Sequence, residues 1–186
     1  MRARVAVLAA LGLQVGLALG ARAANTPAPD PNIGPVTKLP MPRYVSLKTD
    51  RVNLREGPTK DHRTLWVFQR AGLPVEIVGE FENWRRIRDA EGTEGWVLHS
   101  LLSSRRTALI MPWVKGDAGE KPVPLLERSD EKGSVVAQLQ PGVIANVKTC
   151  TTGWCRVVVA PGRGRDFDGF MKQDRLWGVY PNESLQ

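Results

Sequence analysis

Short runs that alternate apolar and polar residues dominate the chain from residue 43 onward. They read RYVSL, RVNLR, TLWVFQ, LPVEIVGEF, NWRRIR and EGWVL. In LPVEIVGE, Val75 and Ile77 share one face and Glu76, Val78 and Glu80 the other, because successive side chains of a strand point to opposite faces. Segments of turn composition, such as EGPTKD and DAEGTE, separate the runs. The pattern predicts short β-strands, with one short 3-10 turn after the strand EGWVL and no longer helix.

The second half of the chain repeats the order of the first. VNLREGP at 52–58 matches VPLLERS at 123–129, Trp84 matches Trp154, and GWV at 95–97 matches GFM at 169–171. The offsets between these pairs are 71, 70 and 74 residues. A period near 70, with five or six strands in each unit, predicts two small β-barrels in tandem. Units of this size bury little core, so each barrel is expected to be marginally stable.

The first 23 residues have the pattern of an export signal. A short positive segment precedes an uncharged run of 16 residues, and Ala21-Arg22-Ala23 supplies the small residues of a cleavage site. The run is shorter than the roughly 20 residues of a membrane span, which favours cleavage after Ala23 over an uncleaved anchor. Cleavage would remove Arg2, Arg4 and Arg22 and so lower the formal charge of +7 by three, to +4. No later apolar run is long enough to predict a transmembrane segment.

Six prolines lie in the 18 residues from 25 to 42. They exclude a helix or a central strand and predict an extended, semi-rigid spacer. The predicted organisation is therefore a signal peptide at 1–23, a proline-rich linker at 24–42, a first domain at 43–109 and a second at 110–186. A chain of 186 residues with 42% hydrophobic and 24% charged residues suits two small globular domains and has no room for a large enzyme.

The two cysteines, Cys150 and Cys155, bracket a turn between the β-like runs VIANVK and RVVVA. Directly opposed residues of a hairpin have the Cα spacing that a disulfide needs, and export favours oxidation. A redox motif usually has two residues between its cysteines rather than four, and a zinc site would need ligands beyond the distant His62 and His99. The sequence therefore predicts a structural disulfide.

Four motifs resemble the bacterial SH3 domain: VNLREGP, the run LPVEIVGEF, Trp84, and Gly95-Trp96-Val97. The resemblance is strong over residues 43–109 and weaker over 110–180, and it is closest to an exported branch common in Gram-negative bacteria. It implies an all-β fold of two tandem SH3-like barrels and a periplasmic location. It also implies a binding function in the cell envelope, where some members of the family bind peptidoglycan.

The same resemblance points to a ligand face on the first domain. The candidate residues are Tyr44, Arg55, Trp66, Trp84 and Arg86. Arg86 shares a strand face with Trp84 by the period of two, and an arginine beside a tryptophan suits an anionic ligand. Because Trp154 recurs at the position of Trp84, this tryptophan also suits a role in the fold. Trp96, between Gly95 and Val97-Leu98, is predicted to be a core residue.

The sequence gives no indication of catalysis. His62 lies in a polar loop, His99 ends a strand, and no residue set matches a catalytic triad, a phosphate-binding loop, or a cofactor or metal site. Nucleic acid is not an expected partner for an exported chain of charge +4. The expected function is non-enzymatic binding of peptidoglycan or another envelope component. The alternatives are an adaptor or inhibitor that docks on an envelope enzyme and, third, a small cell-wall hydrolase. The oligomeric state is not predicted.

Overall fold

The computed structural model of the protein describes residues 30–111, 121–162 and 164–185. The predicted signal peptide, with its cleavage site after Ala23, and the first part of the predicted linker lie outside these residues. Within them, no helix has the length and apolar character needed to cross a membrane. The regular structure described is strand, apart from two 3-10 turns at His99–Leu101 and Gln173–Arg175.

The described residues form two antiparallel sheets of seven strands each. The first sheet contains β1 (Arg43–Leu47), β2 (Val52–Arg55), β3 (Thr64–Phe68), β4 (Pro74–Phe81), β5 (Trp84–Arg88), β6 (Glu94–Leu98) and β7 (Leu102–Ser103). The second contains β8 (Thr107–Ile110), β9 (Val123–Leu126), β10 (Val135–Leu139), β11 (Ile144–Thr151), β12 (Trp154–Val159), β13 (Phe167–Lys172) and β14 (Leu176–Trp177). Their spatial orders, β3-β2-β6-β5-β4-β1-β7 and β10-β9-β13-β12-β11-β8-β14, are the same. The predicted all-β tandem is confirmed.

Gly95 and Gly169 occupy equivalent positions in the two domains, and steric crowding requires glycine at both. A Cβ atom at Gly95 would lie 2.8 Å from the carbonyl oxygen of Arg55, and one at Gly169 would lie 2.6 Å from that of Leu126. At each place the neighbouring strand passes too close for any side chain. The two strands can approach this closely only because the position is glycine.

Each sheet encloses its own apolar core. The first core consists of Leu47, Val52, Leu54, Phe68, Val75, Ile77, Ile87 and Val97. The second contains, among others, Leu125, Ala145, Val157, Met171 and the two cysteines. The inward position of Val75 and Ile77 follows the predicted alternation.

The prediction that Trp96 belongs to the core is wrong. Gly95 and Val97 are buried, whereas Trp96 is partly exposed. The close approach at Gly95 makes its face of β6 the inner one, so Val97 enters the core and Trp96 lies on the outer face.

The strand β8 belongs entirely to the second sheet. It pairs with β11, where Ala108 is opposite Ala145, and with β14, where Ile110 is opposite Leu176. The sequence places the division between the domains after residue 109, inside this strand. We propose that the division lies at residues 104–106, between β7 and β8.

The described part of the proline-rich linker is folded rather than extended. The chain reverses between Ile33 and Pro40, which form an isolated bridge, and the N–H of Gly34 donates to the carbonyl of Leu39 at 2.8 Å. We call residues 30–42 the anchored segment, because the buried carboxylate of Glu80 holds it to the first domain. Glu80 accepts the N–H groups of Val36 at 3.1 Å and Thr37 at 2.9 Å. The prolines exclude regular structure, but the residues between them still carry the donors that a buried carboxylate needs.

The two domains contact each other through aromatic rings and a shared carboxylate. The ring of Tyr44 lies 4.6 Å from that of Tyr180 and 5.3 Å from that of Trp177, measured between centroids. The Tyr180 hydroxyl donates to Oε1 of Glu76 at 2.9 Å, and Arg88 donates to Oε2 of the same side chain. We call this cluster the interdomain latch. It explains how Glu76, on the outward face of β4, is buried.

Candidate ligand grooves of the two domains

The first domain has a groove of about 280 Å³ on the outer face of its sheet. Its lining residues come from β2, from the loop after β2, and from the region where β5 and β6 meet. They are Arg51, Asn53, Arg55, Lys60, Trp84, Leu98 and Leu101. Three of these residues are cations, and no acidic residue is among those the structure shows lining the groove.

Strand pairing and the loop after β2 determine the shape of this groove. Trp84 begins β5 directly opposite Leu98 of β6 and is 8% exposed, so it forms an apolar floor. The Arg55 guanidinium donates to the carbonyl of His62 at 2.8 Å and so fixes the loop at 56–63. Within the loop, the ring of His62 packs over Gly57, where a Cβ atom would lie 2.4 Å from it. The wall of the groove is therefore held in place before any ligand arrives.

The second domain has a larger groove, of about 570 Å³, at the equivalent position. Its lining residues are Met111, Lys121, Pro122, Val123, Pro124, Leu126, Glu131, Gly133, Val135, Trp154, Met171, Lys172 and Arg175. Trp154 faces Lys172 across β12 and β13, as Trp84 faces Leu98 across β5 and β6. Both grooves thus use the same tryptophan and the same strands.

The two grooves differ in the chemistry of their matching positions. One wall of each groove is formed by β2 in the first domain and by β9 in the second, together with the residue before each strand. On this wall, Arg51, Asn53 and Arg55 correspond to Pro122, Pro124 and Leu126. On the opposite side the change is reversed, because Leu98 and Leu101 correspond to Lys172 and Arg175. The first groove therefore has a cationic wall, and the second has an apolar wall with cations at its rim.

The structure brings together two of the five residues predicted for the ligand face. Arg55 and Trp84 both line the first groove. Arg86 lies on the same face of β5 but outside the groove, and its guanidinium pairs with Glu94 at 2.7 Å. Trp66 is 60% exposed on the edge strand β3 and also lies outside the groove.

Tyr44, the fifth predicted residue, is buried in the interdomain latch and does not reach the groove. Burial, and then the nearby charge of Glu76, raise the pKa of its hydroxyl well above the ordinary value. Its predicted place on the ligand face is thus corrected, because the second domain covers it. Nothing in the sequence of the first domain signals this cover.

Several residues of the first groove were not predicted from the sequence. Arg51 and Asn53 precede Arg55 at steps of two, and this period would have placed them on the same face. Lys60 had no such signal, because it reaches the groove from a loop whose path depends on the hydrogen bond from Arg55.

The predicted disulfide between Cys150 and Cys155 is confirmed. The two residues are directly paired across β11 and β12, with their Cα atoms 4.1 Å apart. The bond fits an oxidising compartment, and it leaves neither thiol available as a nucleophile. His62 and His99 are both exposed. In the described ranges, no group of three or more His, Cys, Asp or Glu residues is placed to hold a metal ion.

Comparison with known proteins explains the recurrence of the groove. The sequence profile of the bacterial SH3 domain matches residues 48–104 and again residues 119–178. The chain belongs to the bacterial SH3 domain family. The first match contains every lining residue of the first groove, and the second contains those of the second groove apart from Met111. The grooves are therefore the equivalent surfaces of two tandem bacterial SH3 domains.

Among solved structures, the chain is similar to NlpC2 and NlpC1 from Trichomonas vaginalis. The sequence identities are 11% and 12%, and the TM-scores are 0.31 and 0.32. The alignments cover 73% and 77% of this chain and 48% of each of the other chains. The chain thus spans about half the length of these two proteins. No curated protein matches it.

Proposed function

We propose that the mature protein is a non-enzymatic binding module of the periplasm, released by cleavage after Ala23, that binds peptidoglycan through the groove of its first domain. The observation that carries the proposal is the cationic wall of this groove above the floor of Trp84. Membership of the bacterial SH3 family and a disulfide that fits an oxidising compartment support the location and the class of ligand.

The chemistry of the groove suits the peptide stems of peptidoglycan. These stems carry carboxylates, and Arg51, Arg55 and Lys60 supply guanidinium and ammonium donors on one wall. Trp84 offers an apolar surface for a methyl group or a sugar ring. A charge-assisted hydrogen bond contributes about 1.5–3 kcal/mol, so losing one such contact should weaken binding by roughly ten- to a hundredfold.

A sedimentation assay on purified, protein-free peptidoglycan tests the proposal. Wild-type protein should sediment with the wall, and Arg51→Ala and Lys60→Ala should each weaken this binding without changing the melting temperature, because both side chains are exposed. Arg63→Ala is the matched control, since Arg63 is the last residue of the same loop, pairs only loosely with Glu56 at 3.7 Å and does not line the groove. Arg86→Ala tests whether the ligand extends along β5 beyond Trp84.

A protein partner is the second candidate function, and the apolar groove of the second domain favours it. In this case the protein is an adaptor or inhibitor that docks on an envelope enzyme. Wild-type protein that stays in the supernatant of the peptidoglycan assay would reject the first proposal and leave this one.

A further inference from the structure

The groove of the second domain has a different ligand chemistry from that of the first. We propose that it binds an extended apolar peptide segment of a partner protein that carries a carboxylate. This site does not depend on wall binding by the first domain, so the two proposals can fail separately.

The wall of the groove matches the spacing of an extended peptide. Pro122, Pro124 and Leu126 occupy alternate positions along one strand and its approach, and all three line the groove. Alternate residues of a strand are about 6.5–7 Å apart, which is also the repeat of side chains on one side of an extended peptide. A row of apolar surfaces with this period receives successive side chains of a peptide, whereas a lipid chain has no such period. We therefore infer a peptide as the occupant.

The floor and the outer end of the groove are also apolar. Trp154 and Met171 form the floor, and Val135, which is 53% exposed at the start of β10, forms the outer end. The volume of about 570 Å³ lies within the roughly 300–1,000 Å³ typical of ligand pockets. An apolar segment of a few residues would remove these surfaces from water.

The rim of the groove selects for negative charge on the ligand. Its charged lining residues are Lys121, Lys172, Arg175 and Glu131, and Glu131 already pairs with Lys172. The ammonium of Lys172 lies 5.9 Å from the ring centre of Trp154, so the cationic rim meets the apolar floor at this point. The Nε atom of Arg175 lies 3.5 Å from Oδ1 of Asp174. Both side chains are exposed, however, and Asp174 does not line the groove. The charges of the lining residues that the structure describes sum to +2, which complements a carboxylate that follows an apolar side chain.

Fluorescence anisotropy with three pools of synthetic nonapeptides tests the site on the mature chain, residues 24–186. The first pool is degenerate in Leu, Val, Pro and Trp and ends in a free carboxylate, the second has the same composition but ends in an amide, and the third is degenerate in Ser, Asn and Gly and ends in a carboxylate. The first pool should bind, the second should bind at least about tenfold more weakly, and the third should not bind. Vesicles of phosphatidylglycerol and phosphatidylcholine serve as the lipid probe and should not bind.

Two neighbouring valines provide a matched pair of variants. Val135→Glu places a carboxylate in the groove and should abolish binding of the first pool. Val136→Glu changes a residue of the same strand that is 39% exposed but does not line the groove, and it should bind as the wild type does. Arg175→Glu, at an exposed rim position, should weaken binding of the first pool by at least tenfold if Val135→Glu proves to be unfolded. Lys60→Ala, in the first groove, should have no effect on the peptides.

Several results would overturn the proposal. They are no binding of any pool, equal binding of the acid and amide pools, equal loss with Val135→Glu and Val136→Glu, and preferential binding of vesicles. A concentration-dependent dimer that Val135→Glu dissociates, seen by sedimentation equilibrium, would assign the groove to a second copy of the chain and would also reject it.

Discussion

The two domains close the same hairpin by different chemistry. In the first domain, Glu80 of β4 is directly opposite Arg85 of β5, and the two side chains form a buried ion pair at 3.5 Å. In the second, the equivalent pair is Cys150 and Cys155, which form the disulfide. A segment outside the hairpin covers each closure: the anchored segment hydrogen-bonds to Glu80, and Leu185 exchanges backbone hydrogen bonds with Cys150.

One position of the fold is thus stabilised by a charge cluster in the first domain and by a covalent bond in the second. The charge cluster depends on the ionised state of a carboxylate, so it should fail in acid but not in reductant. The covalent bond should fail in reductant but not in acid. The first three experiments below disturb one closure and use the other as the internal reference, and the fourth disturbs the contact between the two domains.

Glu80→Ala should have the largest effect. It leaves Arg85 buried without its ion-pair partner and also removes the acceptor for Arg43 and the anchored segment. Removing one partner of a buried pair costs about 3–5 kcal/mol, so the first domain should lose stability of this order. Amide hydrogen exchange of β4 and β5 peptides measures the loss, and peptides of β11 and β12 should not change. Glu94→Ala, which breaks a more exposed pair with Arg86, should cost less than about 1 kcal/mol. Equal losses in the two variants would contradict this account.

Acid should weaken the first hairpin selectively. Burial favours a high pKa for Glu80, but hydrogen bonds from the Thr37 side chain and backbone, and from Arg43 and Val36, lower the pKa from 4.5 to about 2. The folded state therefore binds this proton less readily than the unfolded state. The resulting stability, roughly 3 kcal/mol, is fully present above pH 4.5 and is lost as the pH falls towards 2.

Hydrogen exchange of the β4 and β5 peptides between pH 2 and pH 6 measures the acid effect. Glu80→Gln provides the control, because it removes the titrating group. The stability difference between wild type and this variant should shrink towards zero by pH 2. A difference that stays constant over the whole range would show that the charge of Glu80 does not stabilise the hairpin. The β11 and β12 peptides are the reference, and not the whole second domain, because another carboxyl of that domain also responds to acid. Burial favours a high pKa for Glu183, but hydrogen bonds from Arg106 and Tyr180 lower it.

Loss of the disulfide should have a smaller effect, confined to the second domain. Replacing Cys150 and Cys155 together by serine should cost about 2 kcal/mol, at the low end of the usual range because the closed loop is short. Hydrogen exchange of β11 and β12 peptides reports the loss, and dithiothreitol should reproduce it in the wild type. An equal loss in the β4 and β5 peptides would show that the two closures are not independent.

Tyr180→Phe should have the smallest effect, on the coupling between the domains. It removes the hydrogen bond to Glu76 but keeps the ring beside Tyr44, while Arg88 still holds the carboxylate. One hydrogen bond contributes about 1 kcal/mol. The urea concentrations at which the two domains unfold should therefore move slightly apart. In the wild type, burial, and then the hydrogen bond to Glu76, raise the pKa of the Tyr180 hydroxyl far above its ordinary value. A variant that unfolds as the wild type does would show that this hydrogen bond does not couple the domains.

Local patterns predicted the parts of the fold that depend on neighbouring residues. Alternation located the strands, the repeat gave the tandem, and the spacing of the cysteines across a turn gave the disulfide. Of the groove in the first domain, Arg55 and Trp84 were predicted, but on the resemblance to the bacterial SH3 domain and not on a local pattern.

Contacts between distant residues were not predictable in the same way. Alternation correctly separates Glu76 from Val75 and Ile77, but it does not show what covers the outer face. It fails for Glu80, because a register shift between Ile77 and Gly79 pairs Glu80 with Arg85, on the strand face that carries Ile87. The partners of Glu80 lie about 40 residues away in a segment read as a spacer, and Tyr180 lies 104 residues from Glu76. The prediction that Trp96 lies in the core was wrong for a related reason. The close approach of Gly95 to another strand decides which face of β6 is the inner one.

The interdomain latch has a consequence for avidity. With Tyr44 packed against Trp177 and Tyr180, the second domain cannot swing freely on a tether, so the two grooves keep a set separation. Once one groove is occupied, the local concentration of a second ligand depends on whether the target presents it at that separation. A target with the matching distance gains affinity without any new contact, whereas one with the wrong distance gains none. Loosening the latch would make the protein less selective for target geometry even if both grooves kept their individual affinities.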